Sequence, residues 1–214
     1  MKTDMKIKVC GMRLGRNIEE VARHMPDYMG FIFHPGSPRF AGSILNPEVT
    51  AALPGHIRKT GVFVNASSHY IDETCKKYGL NTVQLHGGES KDQCSELKKR
   101  GYEVIKTFSL KNIDDITQTS DYTASCDFFL FDTPTSQHGG SGKKFDWSVL
   151  SGATIERPFF LSGGIEEADA QTILDDIPIQ PYAIDINSRF ETNPGIKNAE
   201  AVGRFIKTIR GSES

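Results

Sequence analysis

Two side chains in this sequence suit acid–base chemistry, because each closes an otherwise apolar run. Cys10 ends the run IKVC at residues 7–10, and Gly11 after it lets the backbone turn sharply. Asp132 directly follows the run DFFLF at residues 127–131. Cys10 is either a general base, if a nearby cation lowers its pKa, or a small buried hydrophobe. Asp132, partly desolvated by phenylalanines, is either a general acid or a cap for the following loop.

Two other segments suit a bound anion. The segment SGGI at residues 162–165 follows a predicted strand, and its adjacent glycines let backbone N–H groups approach a phosphate where a helix begins. The alternative is a tight turn between strand and helix. The segment DINSR at residues 185–189 closes the last predicted strand and would complete the pocket with polar side chains and one positive charge. Together the two segments predict a phosphate site.

Two long loops carry further candidates. Arg39, in the loop at residues 34–42, is placed to pair bidentately with a substrate carboxylate, although most loop arginines face water. His86 closes another apolar run and either touches substrate or is structural. The loop TPTSQHGGSGKK at residues 133–144 is rich in glycine but does not match the Walker phosphate-binding pattern. It is predicted to be a lid, with a plain solvated loop as the alternative.

Charge and composition exclude several classes of partner. A net charge of −2 and a pI near 6.3 give no attraction to nucleic acid or to an anionic membrane, so a small-molecule partner is predicted. The four cysteines form no C-x-x-C pair and the six histidines show no ligand spacing, which predicts reduced thiols and no metal. No apolar run resembles a signal peptide or approaches the roughly 18 residues of a membrane span, so a cytoplasmic protein is expected.

Eight short apolar runs alternate with amphipathic helical stretches and would position these side chains. Ser68 and Ser90 each precede one of these predicted helices and could cap it. The predicted strands are residues 7–10, 28–33, 60–64, 82–85, 103–108, 127–131, 158–162 and 182–186, and the predicted helices are residues 17–25, 47–53, 69–78, 91–100, 113–120, 146–150, 166–174 and 199–209. This order predicts parallel strands in an α/β fold, a single-domain (β/α)8 TIM barrel over residues 1–214. A doubly wound open sheet is the main alternative. In a barrel, Cys10 and Asp132 would face each other across the mouth.

Seven motifs in order resemble the phosphoribosylanthranilate isomerase family of tryptophan biosynthesis. They are KVCGM (8–12), GFIFHPGSPR (30–39), QLHG (84–87), FDT (131–133), GGSGKKFDW (139–147), LSGG (161–164) and IDINSRFE (184–191). Each motif is weak alone, but the likeness spans nearly the whole chain, and the shared order on matching strands makes it specific.

The resemblance implies an Amadori rearrangement without cofactor or metal. N-(5-phosphoribosyl)anthranilate would become 1-(2-carboxyphenylamino)-1-deoxyribulose 5-phosphate. In the family, the cysteine that matches Cys10 removes the sugar C2 proton, and the aspartate that matches Asp132 protonates the ring oxygen. Ring opening produces an electron-poor iminium that acidifies the proton the base must take.

The resemblance also implies a set of substrate-binding residues. Arg39 would hold the anthranilate carboxylate and Asp185 would line the floor of the phosphate pocket. The phosphate would be bound mainly by backbone N–H groups of Gly163, Gly164, Asn187 and Ser188, and further substrate contacts are predicted for Gln84, His86 and Gly140. Arg189 stands where the family commonly has glycine. A direct contact between Arg189 and the phosphate is therefore a hypothesis.

Two competing interpretations remain open at this point. One is another phosphate-binding barrel that isomerises or epimerises a sugar phosphate, although such enzymes do not place a cysteine base in a K-V-C-G-M setting. The other is a non-catalytic barrel that senses a phosphorylated sugar, which the presence of both Cys10 and Asp132 disfavours. Either a monomer or a homodimer fits the sequence.

Overall fold

Eight parallel strands close into a barrel. The computed structural model describes residues 4–132 and 147–211. The barrel strands are β1 (Lys6–Val9), β2 (Tyr28–Ile32), β3 (Arg58–Phe63), β4 (Thr82–Leu85), β5 (Glu103–Ser109), β6 (Phe128–Asp132), β7 (Phe159–Leu161) and β8 (Ala183–Ile186). The first and last strands pair in parallel, from Lys6 with Ala183 to Val9 with Ile186, and this pairing closes the barrel. The predicted barrel is confirmed and the open sheet is excluded.

Helical segments follow the strands on the outside of the barrel. The α-helices are α1 (Gly15–Ala22), α2 (Pro47–Ala51), α3 (Ser68–Tyr78), α4 (Lys91–Lys99), α5 (Ala170–Asp175) and α6 (Ala199–Arg210). Segments of 3-10 helix cover Ile113–Tyr122, Trp147–Leu150, Glu167–Asp169 and Ser188–Phe190. Among the described residues, no helix is long and apolar enough to cross a membrane.

Two segments predicted to be α-helices are 3-10 helices instead, and side-chain hydrogen bonds explain the difference in one of them. The prediction at residues 113–120 was based on the periodicity of apolar residues. In the structure, Thr117, Thr119 and Ser120 each donate a side-chain hydrogen bond to the carbonyl three residues earlier, at 2.7–2.8 Å. Such bonds compete with the α-helical pattern, and the segment therefore adopts the tighter helix. The prediction at residues 146–150 also becomes a 3-10 helix, Trp147–Leu150.

Serine caps begin two of the α-helices. The Ser90 hydroxyl accepts a hydrogen bond from the Gln93 N–H at 3.2 Å, as predicted for α4. For α3 the predicted cap, Ser68, is wrong by one residue, because Ser67 accepts from the Tyr70 N–H. Ser68 is the first helical residue instead, and its hydroxyl donates to Glu96 at 2.7 Å.

A short antiparallel hairpin follows β8 and was not predicted. Its strands are β9 (Glu191–Asn193) and β10 (Ile196–Lys197). Gly195 in the turn has φ +81°, a left-handed conformation that favours glycine. The hairpin is short and mostly polar, so it carries none of the apolar periodicity by which the other strands are predicted.

Alternation along the strands decides which side chains enter the barrel. One buried cluster takes a single residue from each of five strands, and it fills the barrel near its amino-terminal end: Tyr28, Ile105, Leu130, Phe160 and Ala183. Successive side chains of a strand point to opposite faces, so residues two and four positions further along also face inward. By this rule Asp132 and Asp185 point into the barrel above the apolar layer.

A buried ion pair outside the barrel supports the loop after β4. The Lys106 ammonium lies 3.2 Å from Glu89 Oε2 and donates to the Gly87 carbonyl at 2.7 Å. The Glu89 carboxylate accepts hydrogen bonds from the N–H groups of Asn65 and Gly87. The two charged side chains are 3% and 0% exposed. They therefore hold the loop that begins with His86.

Replacing Lys106 by methionine should strongly destabilise the fold. The change leaves the buried Glu89 carboxylate without its cation, which costs about 3–5 kcal/mol of unfolding free energy. Urea unfolding of the variant and the wild type measures the difference. Arg204→Met is the control, because its pair with Glu167 is exposed and should matter little. Equal effects of the two substitutions would contradict the structural role of the buried pair.

Candidate active site

Cys10 and Asp132 both lie at the carboxyl-terminal mouth of the barrel. Cys10 directly follows β1, is 4% exposed, and donates its N–H to the Ile186 carbonyl at 2.9 Å. A Cβ atom at Gly30 on the neighbouring β2 would lie only 2.9 Å from the Cys10 thiol, so this glycine makes room for the sulfur. Asp132 is the last residue of β6. Both side chains therefore occupy the end of the barrel where TIM-barrel active sites are found.

His86 connects Asp132 to two polar side chains inside the barrel. Its Nε2 atom lies 3.5 Å from Asp132 Oδ2, and its Nδ1 atom lies 2.9 Å from the Gln84 amide nitrogen. The Thr107 hydroxyl is 3.4 Å from the same Nδ1. Because an amide nitrogen only donates, Nδ1 accepts and the proton of a neutral ring lies on Nε2, facing Asp132. The four side chains form a connected polar group at the mouth.

The environment of Cys10 contains cations, but burial outweighs them. Burial raises the pKa of the Cys10 thiol, and Asp185 raises it further, while the ammonium groups of Lys8 and Lys197 lower it. Lys8 lies two residues before Cys10 and bonds Asp185 at 2.8 Å, with both side chains buried. The expectation that a neighbouring cation brings this pKa below its ordinary value is therefore not met.

Arg39 is buried and holds a carboxylate of the chain itself. The residue is 6% exposed, and its guanidinium Nη2 donates to Glu191 Oε2 at 2.7 Å. Lys197 donates from Nζ to Glu191 Oε1 at 2.6 Å and to Asn187 Oδ1 at 2.7 Å. Burial lowers the pKa of Lys197 to about 8, although Glu191 opposes this shift. The arginine is thus part of a charged cluster and not a loop side chain in water.

The two glycines after β7 adopt backbone conformations with positive φ. Gly163 and Gly164 have φ values of +96° and +67°, which L side chains rarely adopt. The segment that follows is a 3-10 helix of three residues, Glu167–Asp169, before α5 begins. Any anion here would therefore be held by loop N–H groups and not by the end of a long helix.

The remaining predicted residues are placed as follows. Asp185 is buried beneath the mouth, and Asn187 and Ser188 follow β8 with partial exposure. Arg189 is exposed in the 3-10 helix that begins at Ser188. Gly140 and the loop at residues 133–144 lie outside the described residues.

Four charged or small residues of the site were missed from the sequence alone: Lys8, Gly30, Glu191 and Lys197. A signal existed for Lys8, because a lysine two positions before Cys10 in a barrel strand must share its inward face. Glu191 and Lys197 offered no such signal, since the hairpin that carries them was not predicted. Among the described residues, no group of three or more His, Cys, Asp or Glu side chains is arranged to hold a metal ion.

Comparisons with known proteins agree on one family. Residues 7–208 match the family described as N-(5′-phosphoribosyl)anthranilate (PRA) isomerase. The N-(5′-phosphoribosyl)anthranilate isomerase of Parabacteroides distasonis is 43% identical, over 96% of this chain and 93% of its own length. The enzyme of the same name from Phocaeicola vulgatus is 42% identical, over 96% of this chain and 98% of its own length.

Solved structures give the same result. The phosphoribosyl anthranilate isomerase of Thermotoga maritima superposes with a TM-score of 0.84 at 31% identity, covering 97% of this chain and 99% of its own. Another structure of this enzyme type, at a TM-score of 0.80 and 28% identity with the same coverage, is a complex with reduced 1-(o-carboxyphenylamino)-1-deoxyribulose 5-phosphate. The barrel, the match over nearly the whole chain and the named relatives agree: this chain belongs to the phosphoribosylanthranilate isomerase family.

Proposed function

We propose that this chain catalyses the Amadori rearrangement of N-(5-phosphoribosyl)anthranilate in tryptophan biosynthesis. The observation that carries the proposal is the position of Cys10 at the same barrel mouth as the pair of Asp132 and His86, in a chain of this family. A base and an acid on separate strands suit a reaction in which one proton is given to the ring oxygen and another is taken from C2, the two atoms on either side of C1. The small-molecule partner is a phosphorylated ribosyl amine.

The first step is ring opening with Asp132 as general acid. Its proton goes to the furanose ring oxygen, the C1–O bond breaks, and the anthranilate nitrogen lone pair forms the C1–N iminium. The His86 Nε2, at 3.5 Å from the carboxyl group, is placed to stabilise the carboxylate left behind. The charge that develops on Asp132 is thus met by a hydrogen-bond donor already in place.

The second step is proton removal from C2 by the Cys10 thiolate. The electron pair of the C2–H bond flows toward the iminium and produces an enolamine. Loss of the proton on the C2 hydroxyl and gain of a proton at C1 then produce the aminoketone. Two protons are given and two are taken in total, so the reaction is an isomerisation. For Cys10 to be a thiolate near neutral pH, its pKa must fall when substrate binds. The ammonium groups of Lys8 and Lys197 favour the thiolate.

The remaining residues bind the two ends of the substrate. Backbone N–H groups of Gly163 and Gly164 hold the phosphate, with Asn187 and Ser188 on the adjacent loop. This assignment is supported by the position of these residues, because the loops after strands seven and eight of such barrels commonly bind phosphate. Arg39 receives the anthranilate carboxylate, and Gln84, Asp185 and Gly140 complete the substrate contacts.

Removing either reacting group should abolish turnover without unfolding the chain. We expect Cys10→Ala and Asp132→Asn each to lower kcat by about 10²–10⁴-fold, the usual contribution of a positioned acid or base. The fluorescence decay of freshly generated phosphoribosylanthranilate measures turnover. Matched controls are Cys75→Ala, another buried free thiol, and Asp127→Asn, which precedes the amino-terminal end of the same strand β6.

The outcomes separate the candidate functions. A folded Cys10→Ala variant with near-normal turnover would refute the base assignment. A folded wild-type protein with no turnover would favour another sugar-phosphate isomerase or epimerase, or a barrel that binds phosphorylated sugars without catalysis.

A second prediction concerns the phosphate pocket. Gly163→Ala places a side chain at φ +96° and shifts the N–H groups, so KM should rise about tenfold with a smaller change in kcat. Gly101→Ala is a matched control, because Gly101 has φ +93° and open space around its Cβ position. Steady-state kinetics of both variants check this. An equal KM change in the two would show that backbone strain alone, and not phosphate binding, causes the effect.

A further inference from the structure

One buried cluster at the barrel mouth has more charged groups than the proposed reaction uses. The Arg39 guanidinium donates from Nε to both Glu191 oxygens at 2.9 and 3.0 Å, and from Nη2 to Oε2 at 2.7 Å. The Lys197 ammonium donates to the same carboxylate and to Asn187 Oδ1. The charged side chains are between 0% and 8% exposed. Water therefore solvates these charges very little.

The charges in this cluster do not cancel. Arg39 and Lys197 supply two positive charges, and Glu191 supplies one negative charge. A net positive charge in a buried site is costly unless an anion comes close to it. The cluster is therefore electrostatically prepared to receive one carboxylate.

The guanidinium offers that carboxylate a defined edge. Glu191 occupies the Nε and Nη2 edge of Arg39, and Nη1 donates none of the hydrogen bonds found among residues 4–132 and 147–211. An arginine has five N–H donors in a planar fork, so the edge formed by Nη1 and Nη2 can still bind a carboxylate bidentately. Glu191 thus determines which edge faces the ligand.

The cluster also touches the turn that follows the catalytic cysteine. Gly11 has φ +79°, and a Cβ atom there would lie 2.8 Å from both Arg39 Cδ and Asn187 Oδ1 and 3.4 Å from Lys197 Nζ. The backbone of Lys197 is held in place by Asn17, whose side chain accepts from the Lys197 N–H at 2.7 Å and donates to the Lys197 carbonyl at 2.8 Å. The position of the arginine relative to Cys10 is therefore determined by packing.

We propose that Glu191 and Lys197, on the hairpin β9–β10, are positioning residues that make the enzyme specific for a carboxylate on the aromatic ring of its substrate. Glu191 orients Arg39 through one edge of the guanidinium, and Lys197 supplies the second positive charge. The inference rests on the proposed function, because it assigns the carboxylate to the substrate of that reaction.

The test compares two substrates in four proteins. Wild type, Glu191→Gln, Lys197→Met and Glu167→Gln are assayed with phosphoribosylanthranilate and with the analogue made from aniline, which lacks the carboxylate. We expect Glu191→Gln and Lys197→Met each to raise KM for the anthranilate substrate about tenfold. Glu191→Gln should leave kcat within about twofold, whereas Lys197→Met should lower kcat equally with both substrates, because its ammonium also favours the Cys10 thiolate. KM for the aniline analogue should stay unchanged. The preference for the carboxylate should therefore fall in both variants.

Glu167→Gln is the matched control, because Glu167 also holds an arginine fork, that of Arg204, but in an exposed pair on the surface. Its kinetics should equal those of the wild type with both substrates. An equal rise in KM for both substrates in the Glu191 and Lys197 variants would overturn the proposal, because it would indicate general structural damage. Absence of wild-type turnover would instead refute the proposed function.

A measurement on the wild type alone keeps the proposal testable if the variants fail to fold. Glu191, Arg39 and Cys10 are the charged or titratable groups around Lys197, and its pKa is lowered to about 8. As pH rises through 8, Lys197 loses its proton and the cluster loses its net positive charge. KM for the anthranilate substrate should then rise relative to KM for the aniline analogue. Their ratio cancels the titration of Cys10, and a constant ratio would overturn the proposal.

Discussion

The pairing of β1 with β8 is the constraint on which the rest of the structure depends. It joins residues separated by almost the whole chain, and it converts a twisted parallel sheet into a closed barrel. Once the barrel is closed, the alternation of side chains along each strand assigns every residue to the interior or to the helix-covered outside. Cys10, His86 and Asp132 share the mouth for this reason, although they come from three different strands.

Closure also has an electrostatic consequence, because it removes the charged residues of the mouth from water. Lys8 and Asp185 are register partners on β1 and β8 and form an ion pair inside the barrel. The thiol above them is raised in pKa by its burial in spite of two nearby ammonium groups. Desolvation and cationic fields thus act on the pKa of Cys10 in opposite directions.

The sequence predicted the local features well and the contacts between distant residues poorly. Strand positions and the Ser90 cap depend on neighbouring residues, and they are found as predicted. The helix predicted at residues 113–120 is wrong in type, because side-chain hydrogen bonds to the backbone outweigh apolar periodicity there. Arg39 was predicted to bind a substrate carboxylate, but its partner in the fold, Glu191, lies 152 positions further along the chain. No pattern of residue spacing predicts that contact.

The order of elements, the candidate acid and base, and the likeness to a family could be inferred from the amino-acid sequence, because these depend on residue types and short-range periodicity. The closure of the sheet, the layer in which each inward side chain lies, and the partners of the buried charges became known only from the folded chain. The folded chain also revealed the hairpin β9–β10 and the net positive charge that this hairpin helps to build around Arg39. The physical reason is that burial and ion pairing are properties of groups brought together in space, and their free energies change with surroundings that only the folded chain provides.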